Sequence, residues 1–184
     1  SEPLSLKSGF SDMNSTLPSW LTIRKSRFLF VGLFLLSIPS FSQSLAYKSL
    51  LEGLYDKNFP TVKSEQISDL SHYQVLDARE KEEFAISHLS GAKWVGYETF
   101  DLKSVEDLDK NQPVLVYCTV GARSQEVGKK LLDAGFSRVY NLYGGIIQWS
   151  NSQKPLESNG KPTRKVHTYS KTWGIWLTSG EKVY

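Results

Sequence analysis

Residues 112–124 read Gln112-Pro-Val-Leu-Val-Tyr-Cys-Thr-Val-Gly-Ala-Arg-Ser124, and the stretch changes character halfway along. Four residues of strand type in a row, Val114 to Tyr117, follow Pro113 without a polar break. That is the pattern of a strand covered on both faces. Past Gly121 the spacing becomes helical: over Ala122–Ala134 the expected inward stripe is Val127, Leu131 and Leu132, with Gly135 as the C-terminal stop. A buried strand running straight into an amphipathic helix is the half-unit of a parallel α/β fold.

The same alternation extends in both directions. Downstream, Arg138–Leu142 reads as a strand, and Gly144-Gly145 opens a helix carrying Ile146, Ile147 and Trp149. Upstream, Tyr73–Ala78 is strand-like and ends at an acidic residue. Arg79–Ser87 is charged and helical, with Phe84 and Ile86 expected inward, and Ala92–Tyr97 is strand-like again. Val105–Asp109 suits a turn or short helix and Ser64–Leu70 a short helix, while Leu45–Tyr55 places Leu50, Leu51 and Leu54 on one helical face. Strands separated by helices imply a three-layer α/β domain, mainly parallel, with helices on both faces of the sheet, over residues 60–153.

The 184 residues allow one such domain with appendages. Residues 43–59 form an N-terminal helix and linker. Further upstream, Arg24, Lys25 and Arg27 precede an apolar run of 11 residues, Phe28 to Ile38. As a helix that run is about 16 Å long, against ~30 Å for a hydrocarbon core. Pro39 and a small–x–small pattern follow, so residues 1–42 are read as an upstream segment and signal peptide, and the protein as periplasmic or extracellular, with no stable membrane span in the mature chain. Without them 18 basic residues face 17 acidic, and no basic stripe supports nucleic-acid binding. Residues 154–184 hold six basic residues against two acidic. Lys165–Tyr169, Gly174–Leu177 and Lys182–Tyr184 are expected to form a β-ribbon packed through Trp173 and Trp176, a possible docking place for a protein partner.

The chemistry converges on one loop. Cys118 is the only cysteine and the three histidines lack ligand spacing, so neither a disulfide, a metal nor a cofactor is expected. Cys118 falls at the carboxyl end of a strand, where open α/β folds place their ligands. The amides of Thr119, Val120, Gly121, Ala122, Arg123 and Ser124 can turn inward as an anion cradle, assisted by the following helix N-terminus and the Arg123 cation. Such surroundings favour a thiolate at neutral pH.

Four motifs then carry a resemblance: Val75-Leu-Asp-Ala-Arg79 with Glu83-Phe84, His88-Leu-Ser-Gly-Ala92, the Cys118–Ser124 loop, and Asn141-Leu-Tyr-Gly-Gly-Ile146 with Trp149. In this order they resemble the rhodanese-like sulfurtransferases, over about half of the chain. The resemblance implies that Cys118 takes a sulfane sulfur from a small anionic donor such as thiosulfate. A thiol or cyanide then removes that sulfur from the persulfide. It implies that residues 119–124 hold the terminal sulfur with Arg123 beside the pocket. Asp77 and Arg79 are read as structural supports, a strand-end salt bridge or cap, and His88 as a hydrogen-bonded histidine fixing the next turn. Ser87 and Ser90 depart from the family's usual Gly and Pro. Related phosphatases and arsenate reductases use a Cys-x5-Arg loop; here four residues separate Cys118 from Arg123, a tighter ring suited to one sulfur. A non-catalytic module of the same fold, serving as a binding or scaffold domain, is the alternative.

Overall fold

In a computed structural model, residues 44–184 are described; the expected export signal and upstream segment lie outside the described residues. A helix, α1, covers residues 44–54. Then follow β1 (Thr61–Val62), β2 (Gln74–Asp77), α2 (Lys81–Ile86), β3 (Lys93–Trp94), β4 (Val114–Tyr117), α3 (Ala122–Asp133), β5 (Val139–Leu142) and α4 (Gly145–Asn151). The five strands make one sheet in the order β1-β5-β4-β2-β3, and every pairing is parallel.

Side chains alternate between the faces of a strand, and β4 divides its four buried residues evenly. Val114 and Val116 pack with Val127 and Leu131 of α3 on one face. Leu115 and Tyr117 pack with Tyr47 and Leu51 of α1 and Ile146 and Ile147 of α4 on the other. Both faces are therefore dry, which is why the strand carries no polar residue. The carboxyl end of β4, in the middle of the sheet, delivers Cys118 between α3 and α4.

Three local expectations differ. Leu132 is 38% exposed, because Gly128 completes the inward face of α3 instead; the Phe59 ring lies where a Cβ at Gly128 would stand. Residues 64–70 hold no single helix, only the 3-10 turns Ser64–Gln66 and Leu70–His72. The inward side chain of α2 is Glu83, while Phe84 and Ile86 are half-buried.

The C-terminal segment forms two strand pairs and a helical turn. β6 (Leu156–Ser158) pairs antiparallel with β7 (Lys161–Thr163), and β8 (Lys165–His167) pairs parallel with β9 (Glu181–Val183). The chain between them is the turn α5 (Lys171–Gly174), capped by Ser170 Oγ accepting from the Trp173 amide, so Gly174–Leu177 is no strand. Trp176 stacks on Tyr47 with ring centroids 5.2 Å apart, and Val166 and Leu177 are buried beside it.

Candidate active site

Between β4 and α3 the chain folds around the sulfur. The Gly121 N–H donates to Cys118 Sγ at 3.1 Å. Four consecutive carbonyls, 118 to 121, each have a partner outside the loop. Cys118 O and Thr119 O accept from amides in the first turn of α4, Ile146 N at 2.9 Å and Ile147 N at 3.3 Å. Val120 O accepts from Tyr55 Oη at 2.5 Å, and Gly121 O from Asn141 Nδ2 at 2.8 Å. In a trans peptide the C=O and N–H point in opposite directions, so drawing these carbonyls outward turns the following amides inward.

Glycine is needed at two points of this site. Gly121 has φ +102°, and a Cβ there would also strike the Tyr55 hydroxyl. A Cβ on Gly145 would collide with the carbonyls of Cys118 and Thr119, so only glycine lets α4 approach closely enough to bind them.

Arg123 leaves the first turn of α3 and turns to α2. Its guanidinium donates to Glu83 Oε2 at 3.0 Å and Oε1 at 3.1 Å, and to Thr119 Oγ1 at 2.9 Å. Thr119 Oγ1 in turn donates to Glu83 Oε1 at 3.0 Å. Burial raises the affinity of the Glu83 carboxylate for a proton, but the Arg123 hydrogen bonds and charge, the Glu80 amide and Arg79 outweigh it and hold Glu83 below the usual carboxylate range. Tyr169, in the left-handed region at φ +66° and 57% exposed, sets its ring over the Arg123 guanidinium at 4.9 Å. His167 Nδ1 accepts from the Tyr169 amide at 3.1 Å. The same nitrogen lies 3.9 Å from Glu83 Oε1, beyond hydrogen-bond reach.

The remaining sequence-selected residues lie around this centre. Ser124 Oγ donates to Asn141 Oδ1 at 2.7 Å, both side chains buried, which fixes the amide that holds Gly121. Val120 is buried and Ala122 begins α3. Asp77 and Arg79 form a fully buried ion pair at 2.6 Å, and Arg79 also donates to Ser87 O at 2.6 Å. His88 Nδ1 sits 3.0 Å from Phe84 O, and its main chain exchanges two hydrogen bonds with Glu157. Cys118 and residues 119–124 thus share one loop, while the side chains of Asp77, Arg79 and His88 make their hydrogen bonds outside it. Among the described residues no group of three or more His, Cys, Asp or Glu could hold a metal ion, and no helix is long and apolar enough to cross a membrane.

Tyr55, Glu83, Asn141 and Tyr169 escaped the sequence reading as site residues. Glu83 and Asn141 stand in recognisable motifs, but neither motif says that its side chain reaches the loop. Tyr55 and Tyr169 meet it only through tertiary contact, more than 40 residues from Arg123 in either direction.

Comparison with known proteins follows the same outline. The sequence profile of the rhodanese-like domain matches residues 62–152. Thiosulfate sulfurtransferase GlpE of Pseudomonas aeruginosa is 32% identical over 106 residues, covering 56% of this chain and 94% of that protein. The Coxiella burnetii protein of the same name is 33% identical over 85 residues, covering 46% of this chain and 78% of its own. Among solved structures, a thiosulfate sulfurtransferase from Pseudomonas aeruginosa superposes with a TM-score of 0.52 at 25% identity, over 73% of this chain and 26% of that one.

Proposed function

The chain belongs to the family of rhodanese-like domains, and from that premise we propose that it is a sulfurtransferase working through a persulfide on Cys118. One contact carries this reading: the Gly121 amide, in a loop whose carbonyls are held outward, donates to the Cys118 sulfur at 3.1 Å. A sulfur so placed can bear negative charge without a metal or a cofactor.

In the first half-reaction the Cys118 thiolate attacks the outer sulfur of a donor such as thiosulfate. The new S–S bond forms as the donor's own S–S bond breaks, and sulfite leaves with the electron pair. In the second, a thiol or cyanide attacks the terminal sulfur of the persulfide, and the pair returns to Cys118. The amides of Thr119 to Ser124 surround the terminal sulfur, and the N-terminal end of α3 adds positive potential. Arg123 offers an anionic donor only the charge that Glu83 leaves free, so its larger part is to tie α2 to the loop. Residues 24–42 support a setting in the periplasm or outside the cell, where a lone thiol meets no second cysteine of its own chain.

The other reading, a non-catalytic binding module, is favoured by the 1% exposure of Cys118. Mass spectrometry after incubation with thiosulfate separates the two. The expected result is a gain of one sulfur atom on Cys118 that cyanide removes as thiocyanate, and Cys118→Ser should stay folded without turnover. Failure of the fully reduced protein to gain sulfur favours the module, and thiocyanate formation by Cys118→Ser removes Cys118 as the carrier.

A further inference from the structure

Tyr55 lies on the stretch leaving α1, outside the 62–152 match to the rhodanese-like domain, yet its hydroxyl touches the loop at the one peptide whose amide reaches the sulfur. We infer that Tyr55 is a positioning residue for the Cys118 sulfur, acting through the peptide that joins Val120 to Gly121. The role in turnover rests on the sulfurtransferase reading; the effect on the sulfur does not.

The geometry is that of one rigid plane. Tyr55 Oη donates to Val120 O at 2.5 Å, and the N–H at the other end of the same planar unit donates to Cys118 Sγ at 3.1 Å. Holding the oxygen aims the N–H, and a hydrogen bond to the carbonyl polarises the peptide so that its N–H donates more strongly. The hydroxyl has one proton to give. It gives it to Val120 because its acceptor side is taken by the Gly144 amide at 2.8 Å. Burial, set against the Gly144 hydrogen bond and reinforced by the nearby Cys118, pushes the Tyr55 phenol far above its ordinary range, so the donor persists at any working pH. Of the other three outward carbonyls, two are held by α4 amides and one by Asn141. No other side-chain contact in this set falls on the sulfur-binding peptide.

The anchorage of α1 does not depend on that hydroxyl. The Asp56 amide donates to Gln125 Oε1 at 2.9 Å, the Tyr55 amide completes the α1 bond to Leu51 O, and the Tyr55 ring packs edge-on against Tyr143. Tyr55→Phe therefore removes the hydroxyl's two hydrogen bonds, to Val120 O and from the Gly144 amide, while leaving the packing.

The test is the rate of iodoacetamide alkylation of Cys118 as a function of pH, with the ultraviolet absorbance of the thiolate as a second reading. Comparing curve positions, not absolute rates, cancels changes in access to the sulfur. In Tyr55→Phe the curve should move to higher pH, with about fivefold less thiolate at its foot, the equivalent of one hydrogen bond of about 1 kcal/mol. Tyr143→Phe should leave the curve in place. A ring-fluorinated tyrosine at position 55, a stronger donor of the same shape, should move it the other way, and this arm decides the matter should Tyr55→Phe fail to fold. Coincident curves for the parent and the folded position-55 variants overturn the inference. A displaced curve in a protein that takes no sulfur from any donor upholds Tyr55 and removes the sulfurtransferase reading instead.

Discussion

Arg79 is buried with no access to water, and a cation at that depth must be matched. Burial favours its neutral form, but the Asp77 charge and hydrogen bonds more than offset that and keep the guanidinium charged. Asp77 accepts from Nη2 at 2.6 Å, from Nε at 3.0 Å and from the Arg79 amide at 2.9 Å. Asp77→Ala strands the cation, and the expected loss of folding stability is about 3–5 kcal/mol, read from urea denaturation of the purified variant. A loss below about 1 kcal/mol, the level of an exposed pair, would show that Arg79 has a second counter-charge. The salt bridge itself was open to reading in the sequence, as acid and base two apart at the end of a strand. Ser87 was not: where a glycine is usual in the family, its φ of −169° is extended backbone open to any residue, so the departure strains nothing. Its Oγ is buried without a protein partner, as is Arg79 Nη1, a feature that no pattern of residue types announces.

At the level of elements, α2 and α3 meet through an ion pair, Glu83 with Arg123, where the expected inward residues of α2 were apolar. Phe84 and Ile86 drew the eye because they are the hydrophobic residues of α2, but a six-residue helix turns one face inward, and here that face carries Glu83. The carboxylate is 3% exposed and receives Arg123 in two hydrogen bonds. Because folding lowers its proton affinity, Glu83 stabilises the protein above the usual carboxylate range, and that contribution disappears as pH falls through its depressed native value. Glu83→Gln should cost about 1–3 kcal/mol at neutral pH, and the gap to the parent should close in acid, below about pH 4. Denaturation midpoints measured along a pH series test this, and a gap independent of pH would assign the stabilisation to packing. β4 was legible because burial on both faces forces an unbroken apolar run. α5 was not, since Trp173, Ile175 and Trp176 are residues of strand type and only the Ser170 cap reveals the turn.

Residues 44–184 join a family body to two flanks, one before it and one after it in sequence, that both reach its sulfur loop. α1 brings Tyr47 and Tyr55 to the Gly144 turn, and the C-terminal segment brings Tyr169 to Arg123. The flanks also meet each other, Trp176 on Tyr47, and Asn151 at the end of α4 binds both sides of the chain at Trp176 and Thr178. The sequence showed a basic aromatic appendage after residue 153, because its charges and turns read as surface. It could not show that Val166 and Leu177 enter the same core as Leu115 and Ile146. Burying Val166 and Leu177 is worth about 1.5–3 kcal/mol each, the half-buried Trp176 ring adds to it, and the sum is a large share of the stability of a domain, about 5–15 kcal/mol. Removing residues 165–184 should therefore abolish the cooperative thermal transition seen by circular dichroism, although the cut lies outside the 62–152 family match. Trp176→Ala, which spares the chain and the β8–β9 pairing, should keep the transition but lower its midpoint. A truncated chain melting at the parent's temperature would mean that the segment rests on a body already complete, and the burial of Val166 would then be a consequence of folding and not one of its causes.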